Sequence, residues 1–191
     1  MYLILCGKSG SGKDAILKRL CKRDFTPIVS LTTRPIREGE TNGVEYNFVS
    51  SELFESLIRD EKLIEYRTYN TLVGGVTDTW YYGLEKSAVD LENDYVVILD
   101  VNGARSFMDW YGRENCCCLY VEASAVTRTE RAKKRGSFDS TEWHRRLESD
   151  DRDFSHDKLI GVADDKVYNE GRLSLAVGDV IRLFESKFYE R

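Results

Sequence analysis

Apolar residues along the chain fall into short runs separated by polar, glycine-bearing stretches, and their spacing predicts alternating strands and helices. Tyr2 to Cys6 is nearly all apolar and ends at a glycine, as a parallel strand buried on both faces does. Ala15, Ile16, Leu17 and Leu20 then recur at helical spacing, with Lys18, Arg19, Lys22 and Arg23 opposite. Pro27 to Leu31 reads as a second strand, 32–43 as a polar loop, and 44–49 alternates like a strand. Ser50 is placed to cap a helix whose stripe is Leu53, Phe54, Leu57 and Ile58. A strand over 63–69, a glycine-containing loop over 70–79 and a short helix over 84–91 follow. Tyr95 to Asp100 is the strongest strand: β-branched, apolar and ended by an acid. Beyond it the pattern predicts a helix over 102–110, an apolar strand from Cys116 to Val121, and a helix capped by Ser140 or Thr141. A short last strand over 165–168 precedes an amphipathic helix carrying Leu175, Val177, Val180, Ile181, Phe184 and Phe188. Strands alternating with helices define an α/β fold.

Composition narrows the picture. At 191 residues, 41% hydrophobic and 32% charged, the chain is expected to form one globular domain with a real core. A net charge of -5 argues against a general nucleic-acid binder. No apolar stretch approaches a membrane span. The run Tyr2–Cys6 is too short for a signal peptide and leads straight into glycines. Cys6, Cys21, Cys116, Cys117 and Cys118 contain no C-x-x-C pair, and adjacent cysteines on a strand face opposite ways. They are expected to be small apolar residues of a reduced, cytoplasmic protein.

Gly7-Lys8-Ser9-Gly10-Ser11-Gly12-Lys13 has the G-x-x-x-x-G-K spacing of a phosphate-binding loop, set between a strand and a helix as that motif requires. It closes with Asp14, where Ser or Thr is usual. Arg34 and Arg37, followed by Tyr46, form either a bidentate clamp for a phosphate monoester or a solvated loop. Glu65 either faces solvent or accepts two hydrogen bonds from a base with adjacent N–H donors, as guanine has. Asp100 ends a buried strand where α/β sheets bind ligands, and it is equally placed to cap the next helix. Arg128, Arg131, Lys133, Lys134, Arg135, Arg145 and Arg146 make a basic stretch. It is either a solvated face or a lid delivering arginines to a phosphoryl group.

The run Val29-Ser30-Leu31-Thr32-Thr33-Arg34-Pro35-Ile36-Arg37-Glu38-Gly39-Glu40-Thr41-Asn42-Gly43-Val44-Glu45-Tyr46-Asn47-Phe48-Val49 closely resembles the guanylate kinase pattern V-S-x-T-T-R-x-x-R-x-G-E-x-x-G-x-x-Y-x-F-V. The resemblance covers nearly the whole chain. It implies a P-loop kinase fold with a parallel core sheet flanked by helices, a small mixed monophosphate-binding subdomain and a helical lid. The core would take about 1–31, 84–124 and 155–191, the subdomain about 32–83 and the lid about 125–154. The implied activity is transfer of the γ-phosphoryl group of ATP to GMP or dGMP with Mg²⁺, by a monomer or homodimer that binds neither nucleic acid nor membrane. Arg34, Arg37, Tyr46 and Tyr82 would hold the acceptor's phosphate, and Ser30, Glu65 and Asp100 would line the base site. Gly7 to Asp14 would hold ATP, with Asn169 near the adenine-side segment and Asp14 toward the metal. Lys13, Arg131, Arg135 and Arg146 would be catalytic.

Several positions depart from the pattern. Asp14-Ala15 replaces a Ser-Thr pair, Leu84 replaces the Ser or Thr after Tyr-Gly, and 70–79 lengthens the approach to Trp80-Tyr81-Tyr82-Gly83. Val101-Asn102-Gly103 follows Asp100 in place of the family's x-D-x-Q-G. The alternatives these raise are a related nucleoside monophosphate kinase with altered base or sugar preference, or a guanylate-kinase-like binding module without catalysis.

Overall fold

The computed structural model describes residues 1–73, 76–86, 93–134 and 138–189. The chain divides into two compact units, one of Met1–Pro27 with Leu91–Arg191 and one of Ile28–Asp90.

The larger unit is built on β1 (Tyr2–Cys6), which is buried along its whole length and leads through a glycine loop into α1 (Lys13–Leu20). β2 (Phe25–Pro27) lies at one edge of the sheet, where Pro27 can sit because an edge strand does not need every N–H.

The smaller unit starts after Pro27. Its strands are β3 (Leu31–Thr32), β4 (Asn47–Phe48), β5 (Leu63–Val73) and β6 (Val76–Glu85), with α2 (Ser51–Arg59) between β4 and β5. They form a mixed sheet in the order β4-β3-β6-β5. β3 runs parallel to β4 and antiparallel to β6, and β5 pairs antiparallel with β6. Ser50 caps α2 by accepting the Leu53 N–H, and Phe54 of α2 packs on Tyr81 with ring centroids 5.2 Å apart.

Returning to the larger unit, the chain adds β7 (Asp94–Ile98), α3 (Val101–Tyr111), a short 3-10 turn, β8 (Cys116–Glu122), α4 (Ala125–Lys133), α5 (Ser140–Asp153), α6 (His156–Leu159), β9 (Asp165–Tyr168) and α7 (Leu173–Phe188). The sheet order is β2-β7-β1-β8-β9, and every pairing is parallel. Alternation along β1 sends Leu3 and Leu5 into a core with Ile16 and Leu20 of α1 and Val177, Val180 and Phe184 of α7. Tyr2 points the other way, against Phe107 and Tyr111 of α3. Among the described residues no helix is long and apolar enough to cross a membrane.

Four expectations change. The single strand over 27–31 is two strands in different sheets, because the chain leaves one unit for the other after Pro27. The strand over 44–49 shortens to Asn47–Phe48, preceded by an isolated bridge between Asn42 and Tyr46. Of the expected loop over 70–79, 70–73 and 76–79 are instead strand, paired antiparallel from Asn70 with Thr79 to Val73 with Val76, and 74 and 75 lie outside the described residues. Leu84 and Glu85 end β6 rather than start a helix, and 87–91 of that expected helix lie outside the described residues. A smaller correction is that Asp139, not Ser140 or Thr141, caps α5 by accepting the Glu142 N–H. The three cysteines of β8 are buried, and burial pushes the Cys116 and Cys117 thiols up to about 12, so they stay protonated and inert.

Candidate functional site

In the larger unit the loop between β1 and α1 sits at the carboxyl ends of the parallel strands, where open α/β sheets place ligands. Gly10 and Gly12 both have left-handed φ values, 78° and 96°, which glycine reaches without a Cβ penalty. A Cβ on Gly10 would stand 2.9 Å from the Arg128 carbonyl oxygen, and one on Gly12 would collide with Asn169 Nδ2. Gly12 caps α1 without a side chain, so the helix begins at Lys13 with its N-terminal dipole end at the loop. Lys13 folds back over the loop: Nζ donates to the Gly7 carbonyl at 2.5 Å and to the Lys8 carbonyl at 3.2 Å. Asp14 is exposed in the first turn of α1.

Three elements close around this loop. From the end of β9, buried Asn169 donates through Nδ2 to the Ser11 carbonyl at 2.8 Å. From α4, Arg131 donates to the Ser11 carbonyl at 3.1 Å and to the Asn169 carbonyl at 2.7 Å. From α5, Asp150 accepts the Ser9 backbone N–H at 2.8 Å and the Ser9 hydroxyl at 3.2 Å, while Asp151 accepts from Lys8 Nζ at 2.5 Å. Burial pushes the Asp150 carboxyl above its usual range, even against the Ser9 N–H and the charges of Lys13 and Arg128. Arg128, expected as one cation of a solvated or lid face, is instead buried and pairs with Asp150 at 3.3 Å. Arg146 pairs with Glu142 at 2.8 Å on α5, four residues away on the same face. Arg135 lies outside the described residues. Asp100 caps α3, accepting the Gly103 N–H at 2.7 Å through one of its two carboxylate oxygens.

In the smaller unit Arg34 is almost fully buried and engaged bidentately by Glu40, at 2.8 and 2.6 Å. Hydrogen bonds from Arg34 keep the Glu40 carboxyl below its usual range. Glu40 also accepts the Arg37 backbone N–H at 2.9 Å, so one carboxylate shapes the loop that carries both arginines. The Arg34 guanidinium lies 5.2 Å from the Tyr46 ring centroid. Tyr46 packs edge-on to Tyr82 at 5.7 Å, and Tyr82 to Tyr69 at 5.4 Å. Ser30 stands half-buried just before β3, its carbonyl accepting the Asn47 N–H at 2.9 Å. Glu65 is largely buried on β5, with Arg67 Nη1 3.8 Å from its carboxylate. Glu40, Tyr69, Arg67 and Asp150 were not singled out from the sequence. The period-2 placement of Arg67 and Tyr69 after Glu65 was a signal for two of them; only tertiary structure reveals Asp150.

A loop of this geometry can hold a phosphate chain on backbone N–H groups, and the second cluster can hold a small anion beside aromatic rings and a carboxylate. The family model described as Guanylate kinase matches residues 1–172. A guanylate kinase of Lactobacillus delbrueckii subsp. bulgaricus is 38% identical over 109 residues, covering 56% of this chain and 52% of that relative. The match with this curated relative thus spans about half its length. A solved guanylate kinase from Anaplasma phagocytophilum is similar in fold, with a TM-score of 0.68 at 20% identity over 99% of this chain and 86% of that one. An uncharacterized protein from Eubacterium ventriosum is similar over 97% of this chain and 99% of its own, with a TM-score of 0.55 at 15% identity.

Proposed function

The chain belongs to the guanylate kinase family, and from that premise we propose that it transfers the γ-phosphoryl group of ATP to GMP or dGMP, giving ADP and GDP or dGDP. The observation that carries the reading is the loop from Gly7 to Lys13: left-handed glycines, a helix start with no side-chain cap and a lysine arched over the backbone. Its N–H groups hold the β-phosphate, and Lys13 moves from the Gly7 carbonyl to bridge the β- and γ-phosphates. Asn169, which braces Ser11, sets the loop's shape toward the adenine side.

On the acceptor side, Arg34, Arg37, Tyr46 and Tyr82 hold the monophosphate, and Glu65 accepts from the base. Arg34 is pre-organised for this by Glu40, which fixes the plane of its guanidinium. An oxygen of the acceptor phosphate forms the new bond to the γ-phosphorus. The bond from that phosphorus to the β–γ bridging oxygen breaks, and its electrons leave with ADP. Charge on the three equatorial oxygens is met by Lys13, Arg131 and Arg146, so the protein contributes alignment and positive charge rather than a covalent intermediate.

Mg²⁺ would enter this site as a companion of ATP. Among the described residues no group of three or more His, Cys, Asp or Glu could hold a metal by itself. Magnesium is commonly bound through one or two carboxylates plus substrate phosphates. Asp14, beside Lys13 and exposed, is the residue that would hold it. The ion would supply charge neutralisation on the β- and γ-phosphate oxygens.

The test is ADP formation from ATP with a panel of nucleoside monophosphates, for the natural protein and Lys13→Met. GMP and dGMP are expected to be the best acceptors, with turnover lost in Lys13→Met. Tight GMP binding without ADP formation would turn the reading toward a binding module.

A further inference from the structure

We propose that Lys8 is a second phosphate-binding lysine of the loop, held by Asp151 on α5 and exchanged onto the γ-phosphate when ATP binds. The proposal rests on the reading of Gly7 to Lys13 as the ATP site.

α5 meets the loop with two consecutive acids, and they take donors from two consecutive loop residues. Asp150 accepts the Ser9 backbone N–H at 2.8 Å and the Ser9 hydroxyl at 3.2 Å, while Asp151 accepts from Lys8 Nζ at 2.5 Å. A backbone N–H, a hydroxyl and an ammonium from adjacent residues are the donors of an anion site, and two carboxylates occupy them. Lys13 belongs to the same cluster. Its Nζ donates to the Lys8 carbonyl at 3.2 Å, so the two lysines start from adjoining places on the loop. Burial raises the Asp150 carboxyl, and the Lys13 charge is among the groups that pull it back.

Exposure decides which of the two contacts is exchanged. The Asp150 side chain is 10% exposed and also faces Arg128 at 3.3 Å, so it is fixed in place. The Asp151 side chain is 69% exposed. An ion pair that open to water contributes little and is readily given up for a better anion. A terminal phosphate is such an anion: it carries more charge than a carboxylate and offers three acceptor oxygens. Lysine suits the exchange, because its ammonium is a point charge on a flexible stem and needs no fixed plane.

Charge along the loop points the same way. The charged side chains between Gly7 and Asp14 are Lys8, Lys13 and Asp14 itself. Asp14 stands where a neutral hydroxyl is usual, so with Lys13 alone these side chains would offer a phosphate chain no net positive charge. Lys8 restores it.

The experiment measures equilibrium binding of ATP, ADP and AMP, and steady-state turnover with GMP, for the natural protein, K8M, K8R, D151N, the double variant K8M with D151N, and Lys13→Met. ADP lacks the γ-phosphate, so it reports any general disturbance of the loop. K8M is expected to weaken ATP binding by roughly ten- to a hundredfold, the loss of one charge-assisted hydrogen bond, with ADP binding within a few-fold and KM for GMP unchanged. K8R should recover part of the loss. D151N releases Lys8 and should tighten ATP binding by a few-fold, and this gain should vanish in the double variant. Equal losses for ATP and ADP in K8M, or a D151N gain that persists without Lys8, overturn the proposal. If Lys13→Met abolishes turnover while K8M binds ATP as the natural protein does, the ATP reading stands and Lys8 alone is excluded. If the natural protein binds ATP no better than AMP, both fail together.

Discussion

The carboxylate of Asp150 accepts the backbone N–H of Ser9 at 2.8 Å, tying α5 to the phosphate-binding loop across a pair 141 residues apart in sequence. The same carboxylate faces the buried guanidinium of Arg128 at 3.3 Å. One acid thus joins the loop, α4 and α5. Asp150→Ala leaves the Arg128 charge buried without this partner and is expected to destabilise the protein by about 3–5 kcal/mol, read from urea unfolding. Replacing both partners, Asp150→Leu with Arg128→Met, should be much milder, because no charge is then stranded. Equal losses in the single and double variants would show that the ion pair is not what holds these elements.

The contact of Gly12 with Asn169 sets a second expectation. Gly12→Ala introduces a residue at φ 96° and drives its Cβ into Asn169 Nδ2. The backbone strain alone is worth about 1–3 kcal/mol, and the collision displaces the loop. The variant should lose ATP affinity as well as stability. Asn169→Ala removes the obstacle together with the Ser11 hydrogen bond, so the double variant should lose less than the sum of the singles. Nucleotide titration and thermal unfolding on all four proteins check this, and strict additivity would refute the contact.

The sequence made most of the larger unit legible, for a physical reason. Its central strands β1 and β8 are buried on both faces and α7 is amphipathic, so Tyr2–Cys6, Cys116–Glu122 and Leu173–Phe188 announce themselves locally. The smaller unit was harder to read. Its two-residue strands are too short to show a period, and glycines at 74 and 75 made 70–79 look like a loop. Two glycines flanked by Val73 and Val76 are a hairpin signal that would have corrected it. The loop glycines, Lys13 and the Arg34 motif were readable because their spacing is local. The roles of Asp150 and Arg128 were not, because their partners come from distant sequence and a basic helix looks solvated until its acid is found.

Asp14 stands where a hydroxyl is usual, and it is exposed in the first turn of α1. A carboxylate there is favoured by the helix dipole, by about 0.3–1 kcal/mol, and is a good Mg²⁺ ligand. Asp14→Ser should therefore leave the fold nearly as stable while changing the Mg²⁺ and Mn²⁺ concentrations that support half-maximal turnover. Titrating each metal against activity for both proteins reads this out. Identical metal curves would remove Asp14 from the metal site, whereas a gain of activity in the serine variant would mean that the aspartate impairs the loop.

Glu142 holds Arg145 at 2.7 Å and Arg146 at 2.8 Å, and Arg146 is one of the arginines proposed to meet the phosphoryl group. Hydrogen bonds from Arg145, and then from Arg146, outweigh partial burial and hold the Glu142 carboxyl down to about 2. A carboxyl depressed in the folded state adds stability that is fully present above its unfolded value near 4.5 and is lost as pH falls toward 2. Arg145 is 45% exposed and Arg146 35%, so solvent screening limits the contribution to under about 1 kcal/mol. Glu142→Gln should be slightly less stable than the natural protein at pH 7, with the gap closing between pH 4.5 and 2 in chemical unfolding. At pH 7 the same variant releases Arg146 from its acid and is expected to change kcat by a few-fold without changing KM for GMP. A gap in stability that persists below pH 2, or a shift confined to KM, would contradict this role for Glu142.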